Sequence, residues 1–295
     1  MSVILTGASG FLGRYIFNKL SKDSTVTTIS RAGADINADL VKEIPKLSPA
    51  NLIVHCAGKA HSVPKTEEEK QAFFDVNLKG TENLLKGLKS SAELPRSFVF
   101  ISTVAVYGCE SGTLITENQP LNASDPYGMS KVQAEQLIQT WCEENNVICT
   151  ILRLPLLVGE NPPGNLGAMI KGIKKGYYFN IAGGKAKKSM VFANDVANLI
   201  PVVAKIGGVY NLTDGYNPSF EELSLIIAEK IGSKKPLNIP FWLANIMAKM
   251  GNLVGNKAPI NSKKLAKITA DLTFDDSKAK KQLNWIPKPV LAGWK

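Results

Sequence analysis

The stretch SDPYGMSK, Ser124 to Lys131, sets a tyrosine and a lysine four residues apart behind Asp125-Pro126. Aspartate as N-cap and proline at the first helical position open a helix. Tyr127 and Lys131 then lie one turn apart on one face. A free phenol titrates near ~10, too high for a base at pH 7, while a nearby ammonium favours the phenolate. Moving it by ~3 units takes roughly 4 kcal/mol, which one exposed lysine does not supply. Tyr-x-x-x-Lys alone arises often by chance. The chain holds only two histidines, His55 and His61, neither adjacent to this motif. A second hydroxyl source is Ser102-Thr103, at the end of the apolar run SFVFIS. Strand ends of this kind are where α/β sheets place ligands, and a hydroxyl there can donate to a substrate oxygen.

A phosphate-binding pattern sits at the start of the chain. VILTGASGFLGRYI places Gly7, Gly10 and Gly13 after an apolar run and at the opening of a helical pattern. The spacing G-x-x-G-x-x-G differs from G-x-G-x-x-G, but glycines again permit a tight turn and a close backbone approach to a pyrophosphate. The helix N-terminus adds free N–H groups and partial positive charge. Dinucleotide binding is the reading. NAD readers usually end the second strand with a carboxylate. Here it ends Ser30-Arg31, and an arginine can hold a 2′-phosphate, so NADP(H) is favoured over NAD(H). The alternative is that Arg31 is a solvated residue starting a loop. Beside a cationic nicotinamide ring, a cleft-held Lys131 could supply the stabilisation that Tyr127 needs.

The elements that must position these residues are short apolar runs at 2–6, 24–30, 51–57, 96–102 and 147–154, alternating with helical patterns at 10–20, 67–88 and 125–145. Several runs are apolar at successive positions, as strands buried on both faces are. The alternation predicts an α/β fold, a Rossmann-like doubly wound parallel sheet. Only one helix, about 39–47, fits between the second and third runs, so one sheet edge is expected to be trimmed. Beyond residue 155 the pattern loosens; Ser219 and Glu222 form a capping box. The expected division is a dinucleotide-binding domain over 1–158, with 190–212 returning to it. A smaller, mostly helical C-terminal substrate lobe takes 159–189 and 213–295.

Hydrophobic content of 44% and charged content of 20% describe an ordinary globular protein. No window carries the roughly 20 apolar residues of a membrane span. The nearest, FWLANIMAKMGNLVG, contains Lys249 and reads as a helix with a buried apolar face. The N-terminus lacks a leader pattern. Cys56, Cys109, Cys142 and Cys149 show no metal-type spacing, which predicts reduced, inert thiols, no metal and a cytoplasmic location. Residues 171–295 hold 20 lysines, no arginine and eight acidic residues, a net +12, against −2 for residues 1–170. Nucleic-acid readers use arginine forks and interleaved aromatics, which are not clustered here. The charge fits either a solvated lysine surface or a field that attracts an anionic small molecule.

Taken together, TGASGFLG, HCAGKAH (55–61), VNLKGTENLL, FISTVAVYG, YGMSK, DVA (195–197) and DDSKAKKQLNWIPK occur in the order of a known family. The chain resembles the extended short-chain dehydrogenase/reductases, in the epimerase/dehydratase branch that acts on nucleotide sugars, over nearly its whole length. The resemblance implies Tyr127 as general acid/base and Lys131 as the residue that lowers its pKa and binds the nicotinamide ribose. Thr103 would hydrogen-bond the reacting sugar oxygen, with hydride transfer at C4. It implies a cofactor lying against Gly7, Ser9, Gly10, Phe11, Leu12 and Gly13. Further along, Ser30, Arg31, Asp39, Cys56, Ala57 and Gly58 would meet it, as would Asn77, Ser102, Leu154 and Pro155. His61, Asn165 and Lys188 would meet the nucleotide-diphosphate sugar. Each has a bland alternative: a loop histidine, a turn residue, and a lysine lacking the arginine fork. His55, inside a strand, reads as a satisfied core residue.

The family's 4,6-dehydratases carry Asp-Glu after the catalytic threonine, where this chain has Val104-Ala105, so dehydration is not expected. Ser30-Arg31 and the segments ADIN and ENPPGNLGAMI lean towards 4-keto reduction of a 4-keto-6-deoxy sugar, with UDP-sugar 4-epimerisation as the alternative. A non-catalytic NADP(H) sensor is the reading from another class; retention of Thr103, Tyr127 and Lys131 argues against it. A homodimer is the assembly to test.

Overall fold

The computed structural model describes residues 1–60, 62–254, 258 and 260–293. His61 lies outside the described residues. The first half alternates as expected: β1 (Ser2–Thr6), α1 (Phe11–Leu20), β2 (Thr25–Ser30), β3 (Ile36–Asn37), β4 (Leu52–His55), α2 (Glu67–Phe74), α3 (Gly80–Lys89), β5 (Ser97–Thr103), β6 (Gly112–Ile115), α4 (Pro126–Glu144) and β7 (Ile148–Leu154). The second half holds β8 (Leu156–Val158), α5 (Gly164–Lys174), β9 (Phe179–Ile181), β10 (Met190–Phe192), α6 (Ala193–Ile206), β11 (Gly208–Asn211), α7 (Phe220–Lys230), β12 (Leu237–Ile239), α8 (Phe241–Val254), α9 (Ser262–Thr269), β13 (Leu272–Phe274), α10 (Ser277–Leu283) and α11 (Val290–Gly293).

Seven strands form one parallel sheet in the order β11-β7-β5-β4-β1-β2-β3. This is the doubly wound topology, with the strand order reversing between β1 and β4. The central strands are buried on both faces, as their unbroken apolar runs require: Leu52, Ile53, Val54, Phe98 and Val99 are all fully buried. One core layer packs α1 and α6 on the sheet; the other packs α3 and α4 on its opposite face.

Two expectations fail here. No helix occupies 39–47: a short turn at Leu40–Lys42 is followed by chain without regular secondary structure. Pro45 and Pro49 interrupt the backbone N–H series there. The segment also runs against α3, where a Cβ on Gly87 would stand 2.6 Å from the carbonyl oxygen of Pro45. The edge is trimmed further than expected, β3 being two residues long. The second failure is α8, whose large apolar residues are exposed while Ala244 and Ala248 are buried.

The remaining short strands pair outside the main sheet, as β10-β8, β12-β9 and β13-β6. Helices α5 and α7 enclose a third core cluster, α8 and α9 a small fifth one. Chain beyond residue 212 does not all stay in this lobe: Ala279, Leu283 and Trp285 pack into the α1–α6 layer. The Ser219–Glu222 capping box forms as the sequence indicates. Among the described residues no helix is long and apolar enough to cross a membrane, and no cluster of three or more metal-ligating side chains occurs.

Candidate active site

The strand ends at the switch point form one wall of a cavity of about 420 Å³. Gly7 takes φ +73°, and a Cβ there would stand 2.6 Å from the backbone N of Ala57. On Gly13 a Cβ would stand 1.9 Å from the carbonyl oxygen of Gly7. The first glycine therefore lets the β1 turn meet the β4 turn, and the third lets α1 close on the loop. Gly10 N–H donates to the Gly7 carbonyl at 3.0 Å. The free N-terminal turn of α1 then faces the cavity through Gly10, Phe11, Leu12 and Gly13. These residues fit a pyrophosphate.

His55 pins the two turns together. Its Nδ1 lies 2.7 Å from Thr6 Oγ1, and its Nε2 lies 2.9 Å from Thr81 Oγ1. Thr81 donates its own proton to Asn77 O, so it accepts from Nε2–H; Thr6 donates to Nδ1 and accepts from Ala57 N–H. Burial, helped by the charge of Lys131, pushes the imidazole down to about 3. It is a neutral structural histidine.

The cavity floor carries Thr103, Tyr127 and Lys131. Asp125 caps α4, accepting from Gly128 N–H at 3.0 Å. A Cβ on Gly128 would stand 2.9 Å from Ala105 O, so this glycine seats the helix start against the turn after β5. Thr103 Oγ1 accepts from Ala105 N–H at 3.2 Å, and Thr103 lines the cavity together with Tyr127. Burial pushes the Tyr127 phenol up, outweighing the opposing influence of the neighbouring Thr103 hydroxyl, and the charge of Asp125 adds to the rise. Lys131 is 5% exposed. Its ammonium donates to Ile101 O at 2.7 Å and lies 4.0 Å from the centre of the Phe100 ring. It makes its hydrogen bond to the strand rather than to the phenol. Burial pushes Lys131 down to about 8, against smaller upward effects from Cys56 and Glu135.

Ser102, Cys56, Gly58, Leu154 and Pro155 also line this cavity. Burial pushes the Cys56 thiol up to about 12, so it stays protonated. Gly7 and Ala57 stand behind the lining as the close approach just described. Ser9 is exposed in the turn before α1. Asn77 is buried in a π-helical turn, Asp75–Lys79, between α2 and α3. It accepts from Lys59 N–H at 2.7 Å and donates to Lys59 O and Ser130 Oγ. That ties the loop over the cavity to α4. Ser30 is the last residue of β2 and exposed Arg31 follows it, the Ser30 hydroxyl donating to Ala32 O. Asp39 accepts from Val41 N–H at 3.2 Å and its amide donates to Glu43. Asn165 lines a second cavity of about 420 Å³, with Tyr177, Tyr178, Phe179 and Phe220; Leu156 is shared by both. Lys188 is turned elsewhere, donating to Lys267 O and Ala270 O at the end of α9.

Sequence reasoning missed the network beneath this floor. Ser102 Oγ donates to Glu135, whose carboxylate pairs with Arg153 Nη2 at 2.7 Å and accepts from its Nε. Arg153 Nη1 donates to Tyr107 OH at 3.1 Å, and Tyr107 donates to Asn211 Oδ1 at 2.7 Å. Glu135 is fully buried and Arg153 nearly so. The available signal was spacing: Glu135 follows Lys131 by four residues, on the same helix face.

A seven-stranded parallel sheet with a glycine cradle and a Thr-Tyr-Lys floor is the architecture of an extended short-chain dehydrogenase/reductase. The model of the NAD dependent epimerase/dehydratase family matches residues 3–212, and the chain belongs to that family. It is 28% identical to the UDP-glucose 4-epimerase of Vibrio cholerae, over 98% of this chain and 92% of that protein. It is 25% identical to the N-acetyl-alpha-D-glucosaminyl-diphospho-ditrans,octacis-undecaprenol 4-epimerase of Escherichia coli O157:H7, over 94% and 88%. The fold is similar to that of UDP-glucuronic acid 4-epimerase from Bacillus cereus in complex with UDP-glucuronic acid and NAD, with a TM-score of 0.76, 17% identity and coverage of 99% and 96%.

Two outcomes follow from this geometry. Arg153→Leu strands a buried carboxylate and lowers unfolding free energy by about 3–5 kcal/mol, whereas the double Glu135→Leu/Arg153→Leu loses much less; chemical denaturation of the three proteins checks this. Lys131 falls from 10.5 to about 8 on folding. Between those pH values the unfolded chain binds more protons at this site, so stability contributed there rises with pH, by on the order of 3 kcal/mol. The wild-type stability curve should therefore gain on that of Lys131→Met across the window, and parallel curves would refute the assignment.

Proposed function

We propose that the chain interconverts C4 epimers of a sugar carried on a diphosphate, through a bound nicotinamide dinucleotide. The observation that carries this reading is that Thr103, Tyr127 and the desolvated Lys131 line one cavity with the glycine cradle. The relatives' names support C4 as the reacting centre. The glycine cradle and Lys131 would hold the cofactor, which would supply reversible hydride acceptance from the sugar carbon.

The chain's own residues handle the proton and the position. Thr103 Oγ donates to the C4 oxygen and holds it within reach of the phenol. Tyr127 takes the hydroxyl proton as the carbon is oxidised and gives it back on reduction. Lys131, fixed by Ile101 O, binds the ribose hydroxyls and presents a positive charge under the phenol. Burial raises the phenol in the protein alone, and a cationic nicotinamide held beside it would favour the base form. Val104 and Ala105 offer no proton-transferring group, which disfavours 4,6-dehydration. The second cavity, with Asn165 and its aromatic rings, suits the flat or apolar part of the sugar's carrier. The catalytic assignment favours an enzyme over a non-catalytic NADP(H) sensor.

Reduction of a 4-keto-6-deoxy sugar is the second reading. It rests on Arg31, which stands exposed at the end of β2 with no carboxylate at the strand end to take ribose hydroxyls, and which favours NADP(H). The two readings part in one assay. UDP-hexoses interconverting without net NAD(P)H consumption support epimerisation. NADPH consumption at 340 nm with a nucleotide 4-keto sugar supports reduction. Tyr127→Phe is expected to lower kcat at least about 100-fold with little change in KM; full turnover would sink the mechanism. Arg31→Asp is expected to shift the ratio of NADP(H) to NAD(H) affinity at least about tenfold towards NAD(H), measured by titrating the cofactors against protein fluorescence.

A further inference from the structure

Helix α8 is turned inside out relative to an ordinary surface helix, which buries its large apolar residues and exposes its polar ones. Ala244, Ala248 and Gly251 face the lobe, and a Cβ on Gly251 would stand 1.9 Å from the carbonyl oxygen of Ile260. This small-residue face brings the helix as close to its neighbours as backbone allows. The large side chains point away: Trp242 is 65% exposed, Ile246 48%, Met250 65% and Leu253 91%. Spaced at four, four and three residues, they form one stripe. Phe241 and Leu237 extend the apolar patch towards β12.

The segment that carries this stripe bears charge of one sign. Residues 231–270 contain seven lysines and neither aspartate nor glutamate. Lys234, Lys235, Lys249 and Lys267 are exposed. Lys263 pairs with Glu110 at 3.5 Å.

We propose that α8 and its lysines form a docking face for an anionic lipid bilayer, with the helix lying flat in the interface. At 14 residues the helix is about 21 Å long and too short to span. An in-plane helix needs what α8 has: an apolar stripe, a tryptophan at headgroup depth, and lysines beside it. Lysines near a surface rich in anionic lipid add attraction that decays within a Debye length. A second copy of this chain fits the face poorly. Two-fold pairing would set a wholly cationic segment against itself, with no carboxylate in that segment to answer it. A bilayer supplies both the apolar phase and the negative charge. This docking goes beyond the sugar chemistry and does not depend on it.

Vesicle flotation tests the proposal. The full chain should float with vesicles of phosphatidylcholine mixed with phosphatidylglycerol, and at least about tenfold less with phosphatidylcholine alone. Molar salt should release it. Trp242→Ser/Ile246→Ser/Met250→Ser should reduce flotation at least about tenfold while the protein keeps its folded circular dichroism and its cofactor binding. Lys234→Gln/Lys235→Gln/Lys249→Gln should reduce it with anionic vesicles specifically. Unchanged flotation of the triple serine variant, or no flotation of the wild type, overturns the proposal. So does a dimer in light scattering that the serine variant converts to monomer, because the face would then belong to a second copy.

Discussion

The buried ion pair between Glu135 and Arg153 is the constraint on which the candidate site depends. It joins helix α4 to strand β7, reaches β5 through Ser102, and reaches β11 through Tyr107 and Asn211. Two charges taken out of water cost several kcal/mol each, and attraction repays this only with good geometry and satisfied hydrogen bonds. Here the guanidinium meets both carboxylate oxygens and a phenol, and Ser102 donates to the carboxylate as well. An arrangement so demanding has few solutions. It sets the rotation and height of α4, and thereby where Lys131 and Tyr127, one and two turns earlier, meet the strand ends.

The same geometry accounts for the electrostatics. Once α4 is seated, Lys131 must enter the space between Phe100, Ile101 and Gly58, where its charge is disfavoured and its pKa falls. Glu135 lies one turn away, but its charge is answered by Arg153, so it offsets only part of that fall. Burial thus acts on both cavity residues, lowering Lys131 to about 8 and raising the Tyr127 phenol. His55 does the corresponding task on the other side of the switch point. Kept neutral by burial, it links β1, β4 and α3 without adding charge beside the glycine cradle.

Much of this was legible in the sequence, for physical reasons that particular residues show. Strands buried on both faces leave continuous apolar runs, so β1, β4, β5 and β7 were readable within a residue or two at most boundaries. Asp125-Pro126 and Ser219–Glu222 announce helix starts through local hydrogen bonding, which needs no tertiary partner. The glycine cradle was readable because backbone approach demands glycine regardless of context. The ion-pair network was not, since Arg153 sits in an apolar strand and its partner is 18 residues back on a helix. The absent helix at 39–47 failed for a related reason: prolines and a close crossing with α3 outweigh a weak local pattern. Asn77 reads as a cofactor residue on its motif, yet its side chain is spent on the loop at Lys59 and on Ser130.

Helix α8 shows the limit of periodicity most clearly. An apolar stripe states that some face avoids water, but not which face meets the lobe. Ala244, Ala248 and Gly251 also form a stripe, and close backbone packing selected that one. The choice matters for the cavities, because α9 and β9 join α8 to the aromatic pocket through one core cluster, Ile181 of β9 both packing there and lining the pocket. Leu265 of α9 packs with Ala244 and Ala248, while Ile268 of the same helix joins that cluster and lines the pocket. Anything that bears on the outer face of α8 therefore bears on the wall of the pocket through a single core cluster. The lobe's outward and inward surfaces are two sides of one packing problem.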